Sequence, residues 1–360
     1  MQNVSFFTGV MMSCKKIALI LISLLALTTI VSAQKKLTLK IASVAPARSA
    51  WENEQKVLAS EWNKATNGMV SVQFYNMTAL GGENGVVQKM RSVRPGQNSP
   101  IDGAIFTNLG AYELAPDSNV LTLCIPFLFR NQAEVDLVLS KLSDEINNAI
   151  QKQGFVLLGW FNVGWANFYT KTEVRTPEQL KSIKLSVGGI TSPALGRAFQ
   201  LAGYNTEDIP NEKIIQSMKS ANGIKGLYTI PMYGFAAQYY KHLPYVINTA
   251  ICPIMATFVI SEKTWSQIPE EYKPAMLESV KQAESKFVGV QQQTDKEYLE
   301  LMAQDGLNLV NLTSSELSAF ENSLMGDALA MSKTTDLTAI NYEFFLRINA
   351  ILQDYRAGKQ

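Results

Sequence analysis

Two hydrophobic periods take turns along the chain. Leu37–Val44 alternates and then runs apolar, which predicts a strand, and Ala45-Pro46 breaks it. Trp51–Ala65 carries apolar residues at Trp51, Val57, Leu58 and Trp62, the spacing of a helix, ended by Asn67-Gly68. Met69–Tyr75 alternates again, Glu83–Val93 reads as a short helix behind Leu80-Gly81-Gly82, and Ile101–Phe106 is a third strand. Strand, helix, strand, helix, strand predicts an α/β layer with a mainly parallel sheet. A helix over Gln132–Gln153, a strand over Phe155–Phe161 and an extended Phe168–Thr170 follow.

The pattern then restarts. Thr176-Pro177-Glu178 caps a brief helix, Lys184–Val187 is a strand, and Ser192–Ala202 is a helix ended by Gly203. Ile214–Ser220 reads as helix and Gly226–Thr229 as strand, so a second α/β domain is expected. Ala250–Ile260 is a strand long enough to bridge the two. From Glu270 to Gln304 an apolar stripe at Met276, Val280, Ala283, Phe287 and Tyr298 predicts one helix, starting at Pro269 or Pro274. At 1.5 Å per residue it would reach about 45–50 Å, enough to cross both domains. Ser315–Arg356 is again helical. The expected division is 36–163 plus 252–288 for one domain and 164–251 plus 289–357 for the other.

The first 33 residues stand apart. Lys15-Lys16, an apolar run Ile17–Val31 and Val31-Ser32-Ala33 make a secretory signal peptide cut after Ala33. The ten residues ahead of Met11 are not needed for it. A membrane anchor is the alternative, but the run is about five residues short of a span. Cys14 precedes the run, so a lipid-bearing amino terminus is not supported. Cleavage removes two Lys and no acid, which takes the net charge from +1 to about −1 and implies an exported, soluble, periplasmic protein.

Composition narrows the chemistry. With 47% hydrophobic and 18% charged residues the chain is an ordinary globular one, and its near-zero charge offers no basic surface for nucleic acid. There is a single histidine, His242, with no serine elbow or acid at a telling spacing, and it reads as a surface or loop residue. Gly81-Gly82 and Gly188-Gly189 lack the lysine of a phosphate-cradling loop. The acid pairs Glu207-Asp208 and Glu270-Glu271 sit in polar stretches and read as solvated. No nucleophile, base and orienter assemble, so no enzyme, no metal site and no cofactor is expected. Cys124 and Cys252, the two cysteines left after cleavage, could pair in an oxidising compartment, but their apolar flanks read as two strands with buried thiols.

Two α/β domains behind an export signal suggest a periplasmic binding protein, and four segments carry a closer resemblance. Ile125-Pro126-Phe127-Leu128-Phe129-Arg130 resembles the PFLF signature of the solute receptors of tripartite ATP-independent periplasmic (TRAP) transporters, the DctP family. Leu80-Gly81-Gly82-Glu83 resembles its LGG turn. The run from Thr176 to Leu185 resembles its TPEDLKGLKIR segment, and Glu262-Lys263-Thr264-Trp265 with Ile268-Pro269-Glu270-Glu271 its late strand-to-helix passage. The resemblance covers nearly all of residues 36–310 in the same order. It implies a two-domain fold with hinge strands and a long crossing helix, closing on a small-molecule ligand and docking on a membrane permease.

The departures from the family pattern bear on the ligand. Members that bind small carboxylates place an arginine after the LKGLKI run, and Ser186 stands there in this chain. A second frequent arginine falls at Trp165 or Ala166, and the family's pocket asparagine becomes Thr229. Trp165, Phe168, Tyr228, Met232 and Tyr233, with Trp51 and Thr107, complete the expected site, which suits an apolar or weakly polar ligand. Each of these aromatics could equally be core packing. The missing arginines make the chain similar to the subtype associated with a periplasmic tetratricopeptide-repeat partner. The alternatives are an organic-acid receptor using Arg48 or Arg197, and a scavenging or interaction protein without a transport role.

Overall fold

The computed structural model describes residues 36–92, 99–187, 193–207, 209–287, 290–333 and 339–359. The expected leader, Gly188-Gly189 and Asp208 lie outside the described residues. The first stretch runs β1 (Leu37–Ser43), α1 (Ala50–Ala65), β2 (Val70–Asn76), α2 (Gly82–Arg91), β3 (Gly103–Thr107), α3 (Asn108–Leu114), α4 (Gln132–Lys152) and β4 (Phe155–Trp165). The middle runs β5 (Asn167–Thr170), α5 (Pro177–Ser182), β6 (Leu185–Ser186), α6 (Pro193–Leu201), α7 (Ile214–Lys219), β7 (Gly226–Thr229), α8 (Pro231–Ala236) and β8 (Tyr245–Ile247). The chain ends with β9 (Pro253–Ser261), α9 (Glu262–Trp265), α10 (Lys273–Phe287), α11 (Val290–Gln304), β10 (Asn308–Val310), α12 (Ser314–Ser332) and α13 (Tyr342–Arg356).

The helices start where their side chains can cap them. The Ser49 hydroxyl accepts from the Glu52 N–H at 3.1 Å, and Trp51, Gln55, Leu58 and Trp62 then share the buried face of α1. Thr176 and Gln179 form a reciprocal capping box at the start of α5, as Thr313 and Glu316 do for α12.

The described residues form two five-stranded sheets, ordered β2-β1-β3-β9-β4 and β10-β8-β5-β7-β6. β1 and β3 run parallel, but β9 runs antiparallel to both β3 and β4. β5 likewise opposes β7 and β8. Both sheets are therefore mixed, which corrects the expectation of a mainly parallel layer. β9 arrives from the side of the second sheet and inserts between β3 and β4 without a crossover helix, so it must oppose its neighbours.

The two sheets are joined by their own strands. Only Ala166 separates β4 from β5. Its N–H donates to the Cys252 carbonyl at 3.0 Å and its carbonyl accepts from Ile251 at 3.0 Å, so the return into β9 lies beside it. Just before this joint Gly164 has φ +136°. A Cβ there would sit 2.8 Å from Asp295 Oδ1, and the other carboxylate oxygen accepts from the Trp165 N–H at 2.8 Å.

The single long helix expected from Glu270 appears as α10 and α11, with 288–289 between them outside the described residues. It begins at Lys273, with Pro274 in the first turn, where its missing N–H costs nothing. α10 packs on α1 and β4, whereas α11 packs on α8, β4 and β10. Cys124 also differs from expectation. Val120–Cys124 is a 3-10 helix, entered through Asn119 in the left-handed region at φ 58°, and not a strand.

Candidate functional site

A cavity opens where the strand ends of both sheets face the Ala166 joint. Its space measures about 1160 Å³, counting the solvent-open mouth. On one side stand Val44, Thr107, Asn108 and Leu109. Opposite lie Tyr228, Thr229 and Ile230 at the end of β7, then Tyr233 on α8. Cys124, Ala166, Cys252 and Ile254 line the joint, with Phe199 from α6 and Tyr204 just after it. Leu324, Asp327, Ala328 and Met331 close the far wall from one face of α12.

Thr107 is held from behind by a buried acid. Glu83 accepts from the Thr107 N–H at 2.5 Å and from its hydroxyl at 2.8 Å. The same hydroxyl accepts from the Leu109 N–H at 3.2 Å and so caps α3. Burial pushes the Glu83 carboxyl up to about 7, against the pull of its hydrogen bonds from Thr107 and Gly110. Asn108 is held as firmly, with its carbonyl oxygen accepting from Met255 N at 2.7 Å.

The opposite wall is aromatic. Tyr228 packs on Phe168 with ring centroids 4.7 Å apart, and Phe199 meets Tyr204 edge-on at 5.1 Å. The Tyr233 hydroxyl donates to the Val44 carbonyl. The Tyr228 hydroxyl lies 2.8 Å from Cys252 Sγ. Burial pushes the phenols of Tyr204, Tyr228 and Tyr233 well above the usual tyrosine range, so all three stay neutral. The Tyr204 hydroxyl is buried with no hydrogen-bond partner among the described residues. Among the described residues the one charged group in the lining is Asp327, and it is paired with Lys181 at 2.7 Å.

Of the residues expected at the site, Thr107, Ala166, Tyr228, Thr229 and Tyr233 line this cavity together. Phe168 lies directly behind Tyr228, fully buried in the core. Met232 is buried on α8 without lining the cavity, and Ser186 is buried beside Val187, which does line it. Trp51 sits elsewhere, edge-on to Phe287 at 6.1 Å against sheet one. Trp165 borders a separate polar groove with Arg130, Asn167 and Asp295. Arg48 and Arg197 are exposed, and neither lines the cavity. His242 is half-buried away from it, held below the usual imidazole range by burial and by Lys219 and Lys171.

The sequence reading missed Phe199, Tyr204 and Asp327. The signal for the last was present, since Leu324, Asp327, Ala328 and Met331 recur at helical spacing. For Phe199 and Tyr204 the only cue was their position around Gly203 at the end of α6.

Comparison with known proteins gives one consistent answer. The family described as bacterial extracellular solute-binding protein, family 7 (DctP), matches residues 41–331. The uncharacterised protein YiiZ of Salmonella typhimurium is 25% identical over 232 residues, which is 60% of this chain and 67% of its own. The sugar acid binding protein of Advenella mimigardefordensis, solved with galactonate, superposes with a TM-score of 0.77 at 15% identity, covering 89% of this chain and 99% of that one. A TRAP periplasmic solute-binding protein of Desulfovibrio salexigens, solved with diglycerolphosphate, gives 0.76 at 19% identity over 90% and 99%.

Proposed function

The chain belongs to the DctP family of bacterial extracellular solute-binding proteins, and from that premise we propose that its cavity captures an apolar or weakly polar molecule. Proteins of this family are periplasmic receptors of TRAP transporters that bind a small molecule and serve a membrane permease; they are not enzymes. The observation that carries the finer reading is the charge of the wall. Among the described residues no lysine or arginine lines the cavity, and its single acid already has a cation. A carboxylate taken into such a wall would lose its hydration with nothing to replace it, at a cost on the order of several kcal/mol. An apolar ligand burying about 250 Å² would gain roughly 6 kcal/mol before association costs. The unpartnered Tyr204 hydroxyl supports one polar group on that ligand, a hydroxyl or a carbonyl.

In this reading the leader is cleaved after Ala33 and the protein works in the periplasm. The parts 36–163 plus 252–288 and 164–251 plus 289–357 close on the ligand by bending at Ala166 and at Ile251-Cys252. Ligand contacts with both walls at once supply the energy of closure. The closed form docks on the permease, and a tetratricopeptide-repeat protein is the proposed periplasmic partner.

Native mass spectrometry of the exported protein, purified without refolding, tests the ligand class. The reading expects a retained neutral molecule of largely apolar composition. A retained sugar acid would overturn it and turn attention to Arg48 or Arg197.

A further inference from the structure

Cys124 and Cys252 are distant in sequence but share one wall of the cavity. Both are free thiols, Cys124 half-buried and reached through the cavity, Cys252 fully buried behind it. Cys124 packs against the buried cluster that contains Cys252, and the Tyr228 hydroxyl lies on Cys252 Sγ at 2.8 Å. The backbones run side by side here, with Phe127 N donating to the Ile251 carbonyl at 2.8 Å. Cys124 ends a 3-10 helix that touches β9, while Cys252 sits in the joint, its carbonyl held by Ala166.

We propose that Cys124 and Cys252 form a reversible disulfide inside the cavity and that this bond weakens ligand capture. The oxidant is a disulfide, such as oxidised glutathione or an exported dithiol oxidase. The Cys124 thiolate attacks one sulfur of the donor, forming a mixed disulfide and releasing one thiolate. The Cys252 thiolate then attacks the Cys124 sulfur, the internal bond forms, and the second donor thiolate leaves. The two protons given up by the cysteines end on the two released thiols. The neighbouring Cys252 thiol and burial push the Cys124 thiol up, so the first step is slow at neutral pH and quickens under alkaline conditions.

Two consequences follow from the contacts. Tyr228 loses its thiol partner and keeps only a disulfide sulfur, a weak acceptor, within reach. The new bond also ties the joint to the 3-10 helix, which stiffens a point where the proposed closure bends. The second consequence rests on the receptor reading, and the first does not.

The test uses the exported full chain, reduced with dithiothreitol and then treated with oxidised glutathione. Peptide mapping should find Cys124 joined to Cys252 with loss of two hydrogens. The neutral fluorophore N-phenyl-1-naphthylamine should bind the bonded form about tenfold more weakly, the effect of one lost hydrogen bond, and reduction should restore binding. Cys124→Ser, checked for folding by circular dichroism, should show the same probe affinity before and after oxidised glutathione, whatever that affinity is, whereas Cys252→Ser should stop at a glutathione adduct on Cys124 with no internal bond. Glutathione adducts without the internal bond would overturn the proposal, as would a bonded form that binds the probe as well as the reduced one. Failure of the reduced protein to bind the probe while the cross-link forms would instead overturn the apolar-ligand reading, because mapping does not depend on it.

Discussion

Two hollows lie back to back across a single ridge. Val44 and Tyr233 line both, and the Tyr233 hydroxyl closes the ridge by donating to the Val44 carbonyl. The cavity described above is walled by aromatic rings, aliphatic side chains and thiols. The second hollow is bordered by Ser43, Asn76, Gly81, Glu83, Glu212 and Tyr239. The second is the more polar of the two, although Val44, Ala45, Pro46, Ala47 and Met77 also line it, and among the described residues neither is lined by a lysine or arginine. Polarity and charge thus come apart in this molecule. The polar hollow looks like a place for an acid, but its own buried group is an acid, and an ionised Glu83 would repel one.

The comparison can be broken most forcefully at Ala166, which is 1% exposed in the joint. Ala166→Asp buries a carboxylate with no cation among the described lining residues. A loss of about 3–5 kcal/mol of stability is expected, with probe binding abolished. Urea unfolding followed by tryptophan fluorescence measures it, and a variant as stable as the parent would show the wall to be wetter than described.

Glu83 gives the next largest effect, through pH. Burial raises its folded carboxyl from 4.5 to about 7, so between those values the folded state holds a proton that the unfolded chain has released. Stability from this group is therefore full below pH 4.5 and falls as pH rises to about 7, by about 3 kcal/mol in all. Glu83→Gln should flatten that slope in melts taken from pH 5 to 8. An unchanged slope would place the titration elsewhere.

What could be read from the sequence divides along the same physical lines. Strand and helix positions were legible because periodicity reports burial, as at Trp51, Leu58 and Trp62 on α1. The order of motifs from Leu80 to Glu271 carried the family. Strand direction was not legible, because nothing local to Pro253–Ser261 says that β9 inserts between two strands running the other way. At the site, Ala166 and Thr229 were found because they stand where the family resemblance implies polar anchors, and no local signal marked them. Trp51 and Phe168 were not distinguishable from lining residues by type. An aromatic ring serves a core as well as a cavity, and only tertiary contacts such as Trp51 on Phe287 separate the two. Asp327 and Tyr204 come from segments distant in sequence and meet the site only through packing.

Smaller perturbations sharpen the contrast. Tyr233→Phe removes the hydrogen bond that closes the ridge and should cost about 1 kcal/mol, read as a lower urea midpoint with an unchanged slope. Tyr204→Phe should leave stability within about 0.5 kcal/mol or raise it, because an unpartnered buried hydroxyl is lost. It should weaken a bound alcohol or ketone by about 1 kcal/mol while sparing the matching hydrocarbon. Equal losses for both would remove Tyr204 as the polar anchor.

The central claim is that the wall of this receptor selects against anions. Isothermal titration of the reduced, exported protein with N-phenyl-1-naphthylamine and, separately, with galactonate tests it most directly. The account predicts binding of the neutral aromatic at about micromolar strength and of galactonate no tighter than about millimolar, a gap of roughly 4 kcal/mol. Micromolar binding of galactonate to the unmodified protein would contradict it.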